Sequence, residues 1–482
     1  MSEVAFPGAK GLSRLAVHLA SARLKSSPED RWLTTLSVAA FASATCVATL
    51  VSAGAWMFYR RSAYPSGLMA KVLAADPSFS VIQYAYLGLT VLACALLIGP
   101  IAGLASSAAV LGARSRESRL ATLRLLGLSS AEASRMTILE TTVQAFAGAV
   151  IGLAVSFAVL PLFGGLRFQA QQVMPSEMIL DWWAYPLIAA VVVLVSAAAA
   201  WWGLQRVRIS PLGVARLSLP PALRVWRLVL PVAGVTAAVL MGSGVKLGKS
   251  SVTPYVLIAA FLLVVVWLAN LALPYLLQVL TRPVAALPWP ALTWAARRVV
   301  MDPRAAWRRI STLAMVCFVA GFIAAVPFLA NRQLDPDAQT LSAAVTTDVS
   351  TGAALVVGFS FLLAAVASLL GQASATFERA GELRALSRMG APWGYAIRAA
   401  WWEALAPLLL SCLAFTGLGW LAAQPMRANL AELPEIDPNL LQQDNSALGL
   451  WTIVIGVALV IASLCANLPV QRLVTASISR SE

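Results

Sequence analysis

The sequence predicts an all-α polytopic membrane protein with about ten transmembrane helices, arranged as two parallel four-helix repeats joined by two linking helices. Apolar residues make up 60% of the chain and charged residues only 12%, which is far from the balance of a soluble domain. Apolar segments long enough to cross ~30 Å of hydrocarbon recur along the chain. In addition, one short polar segment occurs twice, each time between two apolar segments.

Ten apolar segments are predicted to span the membrane. They are 32–59, 81–113, 138–163, 182–204, 229–242, 252–280, 310–330, 352–373, 399–423 and 448–469. The fifth is the weakest, because its apolar run is short. The loops between the segments are too short to form a folded domain of their own.

The distribution of charge predicts the orientation. A net charge of +14 could indicate a nucleic-acid partner, but 27 of the 35 Lys and Arg residues lie in alternate loops and at the termini. This positive-inside bias predicts that both termini are cytoplasmic, and the excess charge would attract anionic lipid rather than nucleic acid. Arg outnumbers Lys 30 to 5, which favours a bacterial source and hence a bacterial plasma membrane.

The chain divides into four predicted parts. They are a cytoplasmic amphipathic segment 1–31, a first four-helix repeat 32–216 with a polar loop 114–137, two linking helices 217–291, and a second repeat 292–482 with a polar loop 377–398. Segment 1–31 has no apolar core, so we expect a retained first helix rather than a cleaved signal peptide. Both repeats would insert in the same direction, related by a pseudo-two-fold axis along the membrane normal.

The duplicated polar segment is the most informative pattern. Its copies are 116–140 and 379–403, and Leu120, Leu123, Leu126, Gly127, Arg135 and Glu140 fall on Leu383, Leu386, Met389, Gly390, Arg398 and Glu403 at an offset of 263. A second match aligns Arg23, Pro28 and Trp32 with Arg298, Pro303 and Trp307 at an offset of 275. The difference between the offsets predicts a first outer loop about 12 residues longer in the first repeat.

Each copy predicts a short amphipathic helix, a glycine break and a long helix that enters the membrane. Gly127 and Gly390 occupy helix C-terminal positions that favour glycine. Ser129 and Glu132 have capping-box spacing, and Pro392 fits the first turn of a new helix. A cytosolic element of this kind can transmit a push, and two copies call for a two-fold partner, which indicates a pair of ATPase subunits.

These residues resemble the FtsX-like permease family of ABC transporters, of the macrolide-exporter type. The similar features are the run of Arg, a charged residue, apolar residues and Leu-Leu-Gly, followed by Glu at the head of a Gly-rich span, and the tail at 206–216. The resemblance covers about 15–216 and 292–472, and implies that both polar loops are coupling helices seated on two copies of a separate ABC ATPase. The implied coupling residues are Arg116, Arg119, Leu120, Leu123, Arg124, Gly127, Leu128, Ser129, Glu132, Arg379, Glu382, Leu383, Arg384, Leu386, Gly390, Ala391 and Pro392.

Two further pairs of residues are candidate functional or packing sites. Glu140 and Glu403 are acidic residues within the predicted spans, and each is either a carboxylate near a helix end or a polar latch. Each lies five residues after an Arg, which is not a same-face spacing, so a partner must lie elsewhere. Gly148 and Gly152 form a small-xxx-small surface for close helix packing.

The chain itself is expected to hold no cofactor and no metal, and to catalyse no reaction. Segment 243–250 resembles a phosphate-binding loop but has Ser243 in place of the first glycine, and no strand is predicted before it. ATP would therefore be bound by the partner subunits.

The predicted function is that of a permease subunit that exports or extracts an amphipathic compound, peptide or lipid by mechanotransmission, with efflux and antibiotic resistance as the expected context. One alternative is a non-transporting FtsX-like scaffold that regulates cell-wall enzymes. A secondary transporter is less favoured, because it would normally carry ionisable groups at mid-membrane depth. A membrane enzyme would need a convergent set of polar groups.

Overall fold

The computed structural model describes residues 28–114, 130–205, 253–325, 336–378, 389–390, 393–431, 451, 454–462 and 464–466. Almost all of these residues are helical, which confirms the all-α membrane fold. The helices are α1 (Pro28–Ala63), α2 (Gly67–Ala75), α3 (Ser80–Arg114), α4 (Ser130–Val159), α5 (Ala184–Gln205), α6 (Thr253–Val284), α7 (Pro290–Met301), α8 (Pro303–Ala325), α9 (Pro336–Glu378) and α10 (Trp393–Ala431).

Six candidate membrane spans are present among the described residues. They are Thr34–Ala75, Ile82–Ala109, Arg135–Gly165, Ala184–Trp201, Thr347–Ala373 and Ile397–Gln424. Two shorter apolar helices, Leu313–Phe322 and Val454–Ala466, coincide with the predicted seventh and tenth spans. Helix α6 covers the predicted sixth span, and the predicted fifth span lies outside the described residues.

Several helices extend beyond the apolar segments that predict them. Helix α9 begins at Pro336, whereas hydropathy places the start of this span at residue 352, and α10 continues to Ala431. A helix continues through polar residues as long as its backbone hydrogen bonds are made, so apolar length marks only the part that suits hydrocarbon. Proline at the first position of α9 is compatible with helix initiation.

A small hairpin interrupts the helices between α4 and α5. Strand β1 (Arg167–Phe168) pairs antiparallel with β2 (Gln171–Gln172), and 3-10 turns flank the pair at Leu160–Gly165 and Pro175–Met178. Gln169 and Ala170 join the strands with φ of 58° and 59°. Left-handed conformation at both central residues is typical of a type I′ hairpin turn.

The chain divides into two compact units. The first comprises Met1–Thr49, Ile101–Ala158 and Asp181–Leu217, and the second comprises Leu50–Pro100, Val159–Leu180 and Ser218–Glu482. Each is described separately below.

In the first compact unit, α4 packs directly on α1. A side chain at Gly152 would overlap the Ala42 carbonyl oxygen, and one at Gly148 would fall 2.9 Å from the Val38 carbonyl oxygen. Two buried hydroxyls in this region are satisfied by their own helices: Thr45 donates to the Phe41 carbonyl at 2.9 Å and Thr141 to the Thr137 carbonyl at 2.9 Å. Such bonds suit a segment that water does not reach.

In the second compact unit, α8 and α10 form a close crossing with an aromatic core. Phe415 stacks on Trp307 with ring centroids 5.4 Å apart and meets Phe318 edge-on at 6.4 Å. A side chain at Gly321 would overlap the Thr416 carbonyl oxygen, and one at Gly419 would overlap that of Phe318. The glycines therefore let the two backbones approach closely while the rings fill the adjacent space.

Candidate functional site

The structure describes part of the predicted coupling and latch set. Glu132, Glu140, Gly148, Gly152, Gly390 and Glu403 are described. The remaining coupling residues lie outside the described residues: Arg116, Arg119, Leu120, Leu123, Arg124, Gly127, Leu128, Ser129, Arg379, Glu382, Leu383, Arg384, Leu386, Ala391 and Pro392. Helix α4 begins at Ser130, with Glu132 in its first turn.

Gly390 forms a left-handed turn just before α10. Its φ is +79°, it is exposed, and a Cβ built on it would meet no atom within 4 Å. Glycine is therefore required there by backbone conformation and not by crowding. The turn lies within the second polar loop, and α10 starts shortly after it at Trp393.

Glu403 has an ion-pair partner in the helix that precedes α8. Its carboxylate lies 3.6 Å from the guanidinium of Arg298, with 9% of the Glu403 side chain and 23% of the Arg298 side chain exposed. Arg298 comes from α7, where its guanidinium also lies 5.6 Å from the Trp294 ring centroid. By contrast, Arg398, five residues before Glu403, donates to the Gly394 carbonyl at 3.2 Å. We call the region around Gly390, Arg298 and Glu403 the Gly390 end.

Glu140, the equivalent residue of the first repeat, is also buried. It lies on α4 in the first compact unit, and only 5% of the residue is exposed. The offset of 275 aligns Arg23 with Arg298, but Arg23 lies outside the described residues. The side chains of both glutamates are thus largely buried, and Glu403 is paired with Arg298 of a second helix.

At the opposite end of the second compact unit, Arg61 fixes the hairpin segment to the end of α1. Its guanidinium donates to Glu177 at 2.6 Å and to the carbonyl oxygens of Phe168 at 2.9 Å and Gln172 at 3.2 Å. Arg61 is buried, so these charge-assisted bonds form in a region of low dielectric and are strong. We call this region the hairpin end.

Asp348 on α9 forms the second polar cluster of the hairpin end. Its Oδ2 accepts a hydrogen bond from the Tyr86 hydroxyl at 2.5 Å and another from the Gln169 backbone N–H at 2.6 Å. Only 5% of Asp348 is exposed. The carboxylate therefore ties α9 both to α3 and to the turn of the hairpin.

An apolar cavity of about 200 Å³ lies beside this cluster. Its walls come from α1, α3, α8, α9 and the hairpin segment, and include Met57, Leu97, Phe163 and Val356, with Asp348 at one edge. All of these residues belong to the second compact unit. A concave apolar space with one polar group is typical of a small-molecule site.

Sequence reasoning missed Asp348 and the cavity. Hydropathy placed Asp348 in a loop that ends at residue 351, whereas the structure places it inside α9 and within the candidate span Thr347–Ala373. Its partners Tyr86 and Gln169 lie 262 and 179 positions away. A signal was available in part, because a helical extension of four residues would place Asp348 on the face of Gly352.

The six candidate spans among the described residues define a polytopic membrane protein. Residues 106–212 match the family described as FtsX-like permease C-terminal, so this part of the chain is an FtsX-like permease domain and the predicted resemblance to that family is confirmed there. The match includes α4, α5 and the first polar loop. Permeases of this family usually work with ATPase partners as ABC transporters. No curated protein and no solved structure matches the chain.

Proposed function

We propose that this chain is the transmembrane subunit of an ABC transporter that exports or extracts an amphipathic compound, peptide or lipid. The observation that carries the proposal is the family match at residues 106–212, because it encloses the whole of the first copy of the duplicated segment. The second copy repeats its glycine, arginine and glutamate at a fixed offset. Two equivalent loops suit two copies of one ATPase.

The geometry of the Gly390 end supports a mechanical role. Gly390 adopts a left-handed turn, and α10 rises from it into the candidate span Ile397–Gln424. Within the first three turns of α10, Glu403 reaches Arg298 on α7. A displacement of the polar loop would act on α10 through this turn, and the ion pair would carry it to α7. We therefore assign mechanotransmission to this end.

The first experiment tests the partner. The chain is purified through an affinity tag from its native membrane in mild detergent. We expect a soluble ABC ATPase to copurify, and native mass spectrometry should show two ATPase copies per chain. Purified chain alone is expected to hydrolyse no ATP. Hydrolysis by the chain alone, or a stable complex with one ATPase, would contradict the proposal.

The second experiment tests the orientation of the chain in the membrane. We propose that the chain lies in a bacterial plasma membrane with both termini on the cytoplasmic side. Ser176 is exposed at the hairpin end and Met389 is exposed beside Gly390. In a variant whose five native cysteines are replaced by alanine, Ser176→Cys should react with an impermeant thiol reagent in intact cells. Met389→Cys should react only after the membrane is opened, and the reverse pattern would invert the assignment.

A further inference from the structure

The cavity at the hairpin end combines an apolar wall with a single charged side chain. Among its described lining residues Asp348 is the one that carries a charge, and the rest are mainly aliphatic and aromatic. Its volume of about 200 Å³ is below the range of roughly 300–1,000 Å³ typical of sites for drug-sized ligands. A single alkyl chain or one ring suits it better than a bulky molecule.

The two oxygens of Asp348 are used unequally. Tyr86 and the Gln169 backbone both donate to Oδ2, and no hydrogen bond to Oδ1 is made by the described residues. A carboxylate oxygen has room for two donors. Oδ1 therefore keeps its accepting capacity at the edge of the cavity.

The nearest charge acting on Asp348 is that of Arg61, but the two side chains form no ion pair. The Arg61 guanidinium is paired with the Glu177 carboxylate at 2.6 Å. It also donates hydrogen bonds to the carbonyl oxygens of Phe168 and Gln172. No ion pair joins Asp348 to a basic side chain within the described part of the chain. A buried carboxylate is stabilised by an opposite charge, which also favours its ionised form.

We propose that this cavity binds a single-chain cationic amphiphile, with its alkyl chain against the apolar wall and its protonated amine at Oδ1 of Asp348. The proposal names the substrate class of the transporter and in that respect rests on the proposed function. The amine supplies both a donor to Oδ1 and a cation in direct contact with the carboxylate, and the chain matches the size of the cavity. An anionic amphiphile of equal length would place like charges together and would be rejected.

Photolabelling of the full chain tests the site without any ATPase. The chain is placed in nanodiscs of phosphatidylcholine and phosphatidylglycerol, which contain no primary amine. Two probes share one diazirine-bearing octyl chain and differ only in an amine or an alcohol head group. We expect the amine to label the cavity residues about tenfold more than the alcohol, which corresponds to one charge-assisted hydrogen bond.

Three variants make the labelling diagnostic. Asp348→Asn keeps the shape and the acceptor for Tyr86 but removes the charge, so amine labelling should fall to the level of the alcohol. Gly352 lines the cavity and a Cβ there meets nothing within 4 Å, so Gly352→Phe should fill the space and abolish labelling by both probes. Gly358→Phe is the matched control, since Gly358 lies on the same helix, is equally open, and is not a lining residue.

The outcomes separate this site from the proposed function. Equal labelling by both probes, unchanged labelling of Asp348→Asn, or cross-links mapped outside the cavity would overturn the site even if the ATPase copurifies. Selective labelling without a copurifying ATPase would keep the site and overturn the transporter. Phosphatidylethanolamine added to the nanodisc has two acyl chains and no net charge, so we expect it not to compete with the probe, and competition would overturn the assignment of a single-chain cation. If Asp348→Asn fails to fold, the comparison of Gly352→Phe with Gly358→Phe still decides.

Discussion

The two close helix crossings, α1 with α4 and α8 with α10, reach the same tight packing with different residues. In the first compact unit both glycines, Gly148 and Gly152, lie on α4 and face the backbone of α1. In the second compact unit one glycine lies on each helix, Gly321 on α8 and Gly419 on α10. Close approach is thus a property of the helix pair and not of one helix.

The sequence offsets show where the small residue moves between the two crossings. At an offset of 263, Gly152 falls on Phe415, and at an offset of 275, Cys46 falls on Gly321. The first crossing therefore places glycine on α4 opposite Cys46, and the second places glycine on α8 next to a large ring on α10. The pair of Phe415 and Gly321 is larger than the pair of Gly152 and Cys46, so the residues around the second crossing must accommodate the additional volume at native packing density.

The largest expected effect is at the ring that replaces glycine. Phe415→Ala removes a fully buried side chain that stacks on Trp307 and meets Phe318. We expect a loss of about 3–5 kcal/mol in the free energy of unfolding, because a cavity remains. Thermal unfolding in detergent measures it. A loss under about 1 kcal/mol would show that the second crossing does not depend on its ring.

The next effect separates close approach from the mere presence of glycine. A Cβ at Gly419 would overlap the Phe318 carbonyl oxygen, whereas a Cβ at Gly417, two residues earlier on α10, meets nothing within 4 Å. Gly419→Leu should therefore cost about 1–3 kcal/mol or more by overpacking. Gly417→Leu is the matched control and should leave abundance and thermal unfolding close to the parent. Equal loss in both variants would refute the crossing geometry.

A smaller effect tests whether the repeats share the glycine turn. Gly390→Ala places a Cβ in the left-handed region and should destabilise the protein by about 1–2 kcal/mol. Gly394→Ala, four residues later inside α10, should instead stabilise it by about 0.5–1 kcal/mol. Opposite signs in thermal unfolding are the expected result.

Gly127→Ala extends this test to the first repeat. We expect it to resemble Gly390→Ala and, in the assembled transporter, to reduce ATPase stimulation more than abundance. A Gly127→Ala variant that resembles Gly394→Ala would mean that only the second loop contains the turn.

The smallest effect concerns the buried glutamates. A double-mutant cycle of Arg298→Gln and Glu403→Gln should give a coupling energy of up to about 1 kcal/mol, since the pair is only partly buried. The offset of 275 pairs Arg23 with Arg298, so we predict a similar coupling between Arg23 and Glu140. Coupling between Arg298 and Glu403 without coupling between Arg23 and Glu140 would limit the ion pair to the second repeat.

The sequence was sufficient for the fold class because apolar length is a strong local signal. The predicted span 182–204 and helix α5 (Ala184–Gln205) differ by two residues at the start and one at the end. The need for a distant partner of Glu403 also followed from helix geometry. The identity of that partner did not follow, because Arg298 belongs to another helix.

The contacts of the buried Asp348 could not be predicted from the sequence. The burial of Asp348 depends on Tyr86 and Gln169, which are 262 and 179 positions away, and no local pattern records such contacts. The small-xxx-small pattern was noted on α4, but Gly321 and Ala325 on α8 have the same spacing and sequence reasoning did not single them out. The offset of 275, together with the helix crossings in the structure, shows that Gly321 occupies the position equivalent to Cys46.

Helix α9 connects the cavity directly to the second polar loop. It runs without interruption from Pro336 to Glu378, which is the residue before the second copy of the duplicated segment, 379–403, begins. From Asp348 to its end, the helix is roughly 45 Å long at 1.5 Å per residue. A tilt of about 5° around the cavity would swing the far end by roughly 4 Å. Loss of the Tyr86 contact would thus displace the far end of α9, which leads into the proposed ATPase-coupling segment. A small ligand in the cavity would then act on that segment without touching it.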